Sequence, residues 1–272
     1  RRMGEITTPG ATTLLMNLGN DQTQPPDVRT EAVAALAGKP EPSLAALLDD
    51  PEPSVQLEAA RSLRRLAGNQ AVLEAAKQKL VAISDDERES RLRSQLEFLV
   101  APNKVSRPAS LRAWQLLLKE GGDPKAGERV FFSANSACIQ CHTVDGRGVK
   151  LGSGSTAGFI AMPFGPDLSV IARKADRDAL VRAVVDPSDF IAPEYQGWFV
   201  LMEDGQTFTG REIDQAAKSI QLITLDGHEH DFPRSEIETW GALSQSLMPN
   251  DLANSMAIEE FRDLIAYLNS LK

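Results

Sequence analysis

Disulfides are the first structural device this chain lacks. Its 272 residues include only two cysteines, Cys138 and Cys141, too few and too close together for the framework that staples small secreted domains. Those two thiols must act locally. Long apolar runs are missing too, since nothing approaches the roughly 18–20 residues of a membrane-spanning helix, and the opening Arg1-Arg2-Met3-Gly4-Glu5 has no signal-peptide core. A soluble fragment or mature segment is expected. Excess positive charge is also absent: 29 Lys and Arg stand against 38 Asp and Glu, for a formal charge of −9 and a pI near 5.0. That is the reverse of the clustered basic surface that binds nucleic acid, and a basic protein partner suits it better. Apolar side chains are plentiful at 42%, which excludes a disordered chain.

The charge is unevenly spread. Residues 1–108 carry 14 basic and 15 acidic side chains, net −1, whereas residues 109–272 carry 15 and 23, net −8. Between them, Val100-Ala101-Pro102-Asn103-Lys104-Val105-Ser106-Arg107-Pro108 sets two prolines where the apolar periodicity lapses, and a linker is expected there. Before it the pattern is helical. Pro26-Asp27-Val28-Arg29-Thr30-Glu31-Ala32-Val33-Ala34-Ala35-Leu36-Ala37 returns 27 residues later as Pro53-Ser54-Val55-Gln56-Leu57-Glu58-Ala59-Ala60-Arg61-Ser62-Leu63, with Asp27 or Ser54 at the expected N-cap. Ser43 to Leu48 makes a shorter apolar helix, and Gln70 to Ile83 and Glu87 to Leu99 predict two more. The spacing resembles HEAT-like α-solenoid repeats over residues 1–104, with an irregular helical bundle as the alternative. This half shows no candidate chemistry and is expected to mediate protein contacts. After the linker, helices are expected over Leu111 to Lys119, Lys125 to Phe132 and Ile258 to Leu271. Residues 198–240 alternate as strands, with Asp204-Gly205 and Asp226-Gly227 as hairpin turns.

The chemistry is concentrated in Cys138-Ile139-Gln140-Cys141-His142. This is the spacing of c-type haem attachment, in which two thiols add across the porphyrin vinyl groups and the adjacent imidazole reaches the iron. Two other readings of the pair stay open. A redox dithiol would want a βαβ setting, and a structural zinc site would have only His228 and His230 to complete it. An iron held by His142 needs something on its other face. Met248, in Ser246-Leu247-Met248-Pro249, is the candidate ligand, Met162 and the His228/His230 pair are rivals, and an open five-coordinate iron is the remaining arrangement. Ligating imidazoles donate their second N–H to a fixed acceptor, and the Pro166 carbonyl in Gly165-Pro166-Asp167-Leu168 is the candidate. The apolar shell is expected among Phe131, Phe132, Leu168, Ile171, Leu180, Val184, Ile191 and Tyr195.

These residues resemble a family. Gly127 and Phe131, with Leu264 and Tyr267, resemble the crossed terminal helices of class I c-type cytochromes, which also place their distal Met just ahead of the last helix. More closely, nine elements beginning in order at Gly127, Cys138, Asp145, Gly165, Asp186, Ile191, Trp198, Ser246 and Asp263 are similar to the haem-binding domain of planctomycetes and verrucomicrobia. The likeness covers residues 120–272, with a longer stretch at 149–164 than that family usually has. It implies a mainly α fold: a HEAT-like α-helical domain over 1–104, then a class I cytochrome c-like helical domain over 110–272 with a small antiparallel β insert at 198–240. It also implies one covalent haem c, electron transfer to a redox partner protein or an attached dehydrogenase domain, and a periplasmic or extracellular place as the redox module of a larger protein. Two other functions stay open, a haem enzyme or gas sensor with an open distal site, and a binding scaffold in which haem is structural.

Overall fold

The computed structural model describes residues 9–84, 89–148, 164–215, 218–225 and 228–272. Helices run over Pro9–Asn20 (α1), Pro26–Ala35 (α2), Pro53–Leu63 (α3), Gln70–Ala82 (α4), Ser90–Val100 (α5), Leu111–Leu117 (α6), Pro124–Phe131 (α7), Arg177–Val185 (α8) and Ile258–Leu268 (α9). Strands are Gly197–Met202 (β1), Thr207–Gln215 (β2), Ser219–Thr224 (β3), Glu229–Pro233 (β4) and Ile237–Ala242 (β5). The chain gathers into two compact units assembled from separate stretches. One takes Arg1–Pro108, Gly121–Ala137 and Asn254–Tyr267, and the other takes Ala109–Glu120, Cys138–Ala253 and Leu268–Lys272.

In the helical unit α2 and α3 each begin with proline as the first helical residue, at Pro26 and Pro53. The expected caps shift accordingly. Proline's missing N–H is one the helix leaves unpaired in any case and its φ suits the first turn, so Asp27 moves inside the helix and the Glu52 side chain accepts the Ser54 N–H. Ser43 to Leu48 lies in a 3₁₀ helix, Pro42–Asp49. Helix α3 is the axis of this core: Val55, Ala59, Ala60 and Leu63 are fully buried among Val33, Leu44, Val72 and Leu96. Ser62 Oγ donates to Val33 O at 3.0 Å, joining α3 to α2. The remaining face of α3 is charged and just as buried. Arg61 donates to Glu58 at 2.8 Å and to Asp263 of α9 at 2.9 Å, and Arg129 of α7 donates to Glu58 at 2.8 Å. Arg64 pairs with Glu260 and Arg91 with Asp263. Residues 100–108 are pinned rather than slack, since Arg107 donates to Met256 O at 2.7 Å and lies over the Phe98 ring.

Helices α7 and α9 meet within the same unit. A Cβ on Gly127 would stand 1.9 Å from Asp263 O and 2.8 Å from Tyr267 Cβ, so only glycine admits this approach. One turn on, the Phe131 and Tyr267 rings lie 5.8 Å apart between centroids.

The other unit corrects the expectation of a mainly α protein with a small β insert. The fold is mixed, with 52% helix and 15% strand among the described residues, and the strands form a curled antiparallel half-barrel with its own core. Its order is β4-β3-β2-β1-β5. Val200, Ile220, Leu222, Phe232 and Ile237 form that core, with Trp198, Met202 and Phe208 packed on it. Strand β5 carries the difference: Ile237-Glu238-Thr239-Trp240-Gly241-Ala242 buries only Ile237 and pairs with β1, which makes β1 an interior strand. The Asp204-Gly205 turn forms the β1–β2 hairpin, with Gly205 at φ 84° and the Gln206 N–H bonded to Asp204 Oδ1 at 2.9 Å. Asp226-Gly227 lies outside the described residues.

Candidate cofactor attachment site

Cys138–Gln140 form one 3₁₀ turn, closed when the Cys141 and His142 N–H groups donate to Cys138 O at 3.2 and 2.9 Å. The turn holds Cys138, Cys141 and His142 within one short stretch of backbone. Residues 141–145 then lie beside residues 165–169 as a short ribbon. Gly165 N–H donates to Cys141 O at 2.7 Å, Leu168 N–H donates to Thr143 O at 2.8 Å, and Thr143 and Asp167 form a parallel bridge.

This ribbon seats the imidazole. His142 Nδ1 is 3.0 Å from Pro166 O. A carbonyl can only accept, so Nδ1 carries the proton and Nε2 presents a bare lone pair. Among the described residues Nε2 has no hydrogen-bond partner. Gly165 makes room for the ring, because a Cβ there would be 2.7 Å from His142 Cε1 and 2.9 Å from Nδ1. Burial lowers the His142 pKa and the Pro166 carbonyl offsets part of that, which favours the neutral, ligating form.

Neither cysteine is in a disulfide, and both are half-buried. Burial pushes the Cys141 thiol above its ordinary value, the opposite of what an attacking redox thiolate requires. Among the described residues no group of three or more His, Cys, Asp or Glu side chains is placed to hold a metal ion. Two thiols beside a pre-oriented imidazole, with glycine clearing the ring, fit a covalently attached haem.

The other expected residues fall in several places. Met248 is half-buried on the stretch after β5, where its N–H donates to Ser246 Oγ at 3.1 Å. Ser246 N–H in turn donates to Ser188 Oγ at 3.1 Å, and Ser188 Oγ donates to Asn250 Oδ1 at 3.2 Å. Ser188 therefore anchors the methionine loop, a role that nothing in the sequence assigned to it. Met162 lies outside the described residues. His228 is exposed, and its carbonyl accepts from Thr224 Oγ1 at 3.1 Å. His230 stacks on Phe232 at 5.7 Å within an aromatic group on the sheet. Phe131 is buried in the helical unit, while Ile191 and Tyr195 are half-buried before β1.

Thr143, Asp167 and Ser169 were also missed. Thr143 Oγ1 donates to Asp167 Oδ2 at 2.6 Å, Ser169 N–H to Asp167 Oδ1 at 2.9 Å, and Asp145 N–H to Ser169 Oγ at 2.8 Å. The available signal was Asp167-Leu168-Ser169, an Asx turn in which a carboxylate caps the N–H two residues on. Burial works against the Asp167 charge, but the bonds from Ser169 and Thr143 outweigh it and lower the pKa. Compared with known proteins, the chain matches no family model and no curated protein.

Proposed function

We propose that this chain is an electron-transfer protein carrying one covalent haem c. The observation that carries the reading is the His142 Nδ1–H bond to Pro166 O at 3.0 Å, which leaves Nε2 free beside the thiols of Cys138 and Cys141. Each thiol would add its S–H across one porphyrin vinyl group, forming a C–S bond with no net oxidation, and His142 Nε2 would ligate the iron. The group supplies one-electron chemistry when bound. The chain's residues orient the imidazole, keep its tautomer fixed and exclude water from its buried side. Met248 is the proposed second ligand: Ser246 and Ser188 fix the loop that presents it, and a thioether raises the potential into the range of electron carriers.

The class I likeness of residues 120–272 is supported by the glycine contact of α7 with α9 and the Phe131–Tyr267 pair. With a net charge of −8 after residue 108, the proposed partner is a redox protein with a basic face or an attached dehydrogenase domain, in the periplasm or outside the cell. Among the described residues no helix is long and apolar enough to cross a membrane.

Intact mass and a pyridine haemochrome spectrum, taken on protein expressed with covalent-haem assembly machinery, test the proposal together. The expected result is one haem per chain that survives acidified acetone. Colourless protein of unmodified mass overturns it.

A further inference from the structure

We propose that Thr143 and Asp167 are positioning residues for the His142 imidazole, acting through the Pro166 carbonyl; this deepens the haem reading and rests on it. Proline has no N–H with which to anchor itself and its φ is fixed, so the direction of the Pro166 carbonyl is set by how its two neighbours are held. On one side Gly165 N–H donates to Cys141 O at 2.7 Å. On the other, Leu168 N–H donates to Thr143 O at 2.8 Å, and the Asp167 side chain ties down the residue between: Thr143 Oγ1 donates to one carboxylate oxygen at 2.6 Å and Ser169 N–H to the other at 2.9 Å.

Thr143 is the residue next to His142 and is 3% exposed. Its hydroxyl bond to a carboxylate is of the short, charge-assisted kind that fixes geometry as well as adding strength. The bond runs between the residue after the ligand and the residue after the acceptor, so it closes a small loop around the Nδ1–H···O contact. Loss of that closure frees the carbonyl to swing away from Nδ1. A ring that donates less strongly through Nδ1 is a poorer donor at Nε2, because the proton's partner is what raises ligand basicity.

The test uses the full chain matured with haem-assembly machinery, comparing the wild type with Thr143→Val, Asp167→Ala and Thr143→Ser. Deuterium exchange of the His142 ring N–H, followed by NMR, is read beside the midpoint potential. Thr143→Val and Asp167→Ala are expected to speed ring exchange by about tenfold, matching the low end of the roughly 10–100-fold that such outer partners are worth in metal affinity. Both are expected to raise the potential, and Thr143→Ser is expected to restore wild-type behaviour. Asp167 is exposed, so Asp167→Ala keeps the test decisive if Thr143→Val does not fold. Ring exchange unchanged in Asp167→Ala overturns the proposal, as does a lower melting temperature with exchange and potential both unmoved. A preparation without haem overturns the haem reading instead. In that case the Nδ1 nitrogen shift of the uncoloured protein still decides the clamp: an Nδ1–H tautomer lost in Asp167→Ala supports it, and one retained overturns it.

Discussion

Burial and the Pro166 carbonyl pull the His142 ring in opposite directions, and burial prevails, leaving its pKa below the histidine value of 6.5. The unfolded chain therefore binds this proton more readily than the folded one does. His142 contributes stability above pH 6.5, and that contribution is lost as pH falls below 6.5 toward the folded value. Thermal unfolding of haem-free protein should show a melting temperature that declines between pH 7 and 5, with a shallower decline in His142→Gln. A second residue-scale prediction concerns Gly165. With a Cβ placed 2.7 Å from the ring, Gly165→Ala should cost about 1–3 kcal/mol, as overpacking typically does, and should lower the yield of haem-loaded protein. Urea unfolding and the haem-to-protein absorbance ratio measure the two effects. The glycine was visible in the sequence, but its reason was not, because the ring it admits belongs to a residue 23 positions earlier.

Among the elements, α7 and α9 were readable from their periodicity, and Gly127, Phe131, Leu264 and Tyr267 from the resemblance to class I cytochromes. Their contact is close enough that Gly127→Ala sets a Cβ against the Asp263 backbone rather than a yielding side-chain tip. Helix α7 must then shift, and a loss of about 2 kcal/mol or more is expected in urea unfolding, toward the upper part of the overpacking range. Strand β5 shows the opposite case. Its exposed Glu238, Thr239 and Trp240 blur the alternation that marks a half-buried strand, so its identity depends on pairing with β1 across about 40 residues of chain. That pairing turns a presumed insert into a sheet with an independent core.

Over the whole molecule, charge acts in two separate ways. Inside the helical unit, burial would lower the Arg61 pKa, but Glu58, Glu260 and Asp263 outweigh it and raise it. Arg61→Met would leave Glu58, Glu260 and Asp263 to Arg129, Arg64 and Arg91 alone, at an expected cost of about 3 kcal/mol in urea unfolding, the low end for breaking a buried pair because each carboxylate keeps one partner. The double variant Arg61→Met/Asp263→Leu should recover part of that cost, because a buried pair replaced as a unit leaves less uncompensated charge. Outside, the net −8 of residues 109–272 gives the proposed electron carrier a testable signature: transfer to a basic partner should slow as ionic strength rises, with the Debye length shrinking from about 10 Å at 0.1 M to about 3 Å at 1 M. Stopped-flow rates across that range check it, and a flat profile would reject a charge-steered encounter.

What the sequence alone determined is local: two thiols and an imidazole in one turn, the helical periodicity of α7 and α9, a hairpin at Asp204-Gly205. Each depends on side chains within a few residues of one another, so spacing suffices. What only the tertiary structure decided depends on chain closure. Pro166 reaches His142 across 24 positions, and Arg61 reaches Asp263 across 202. Such bonds form only where packing brings distant backbone together, and no periodicity in the chain records that meeting.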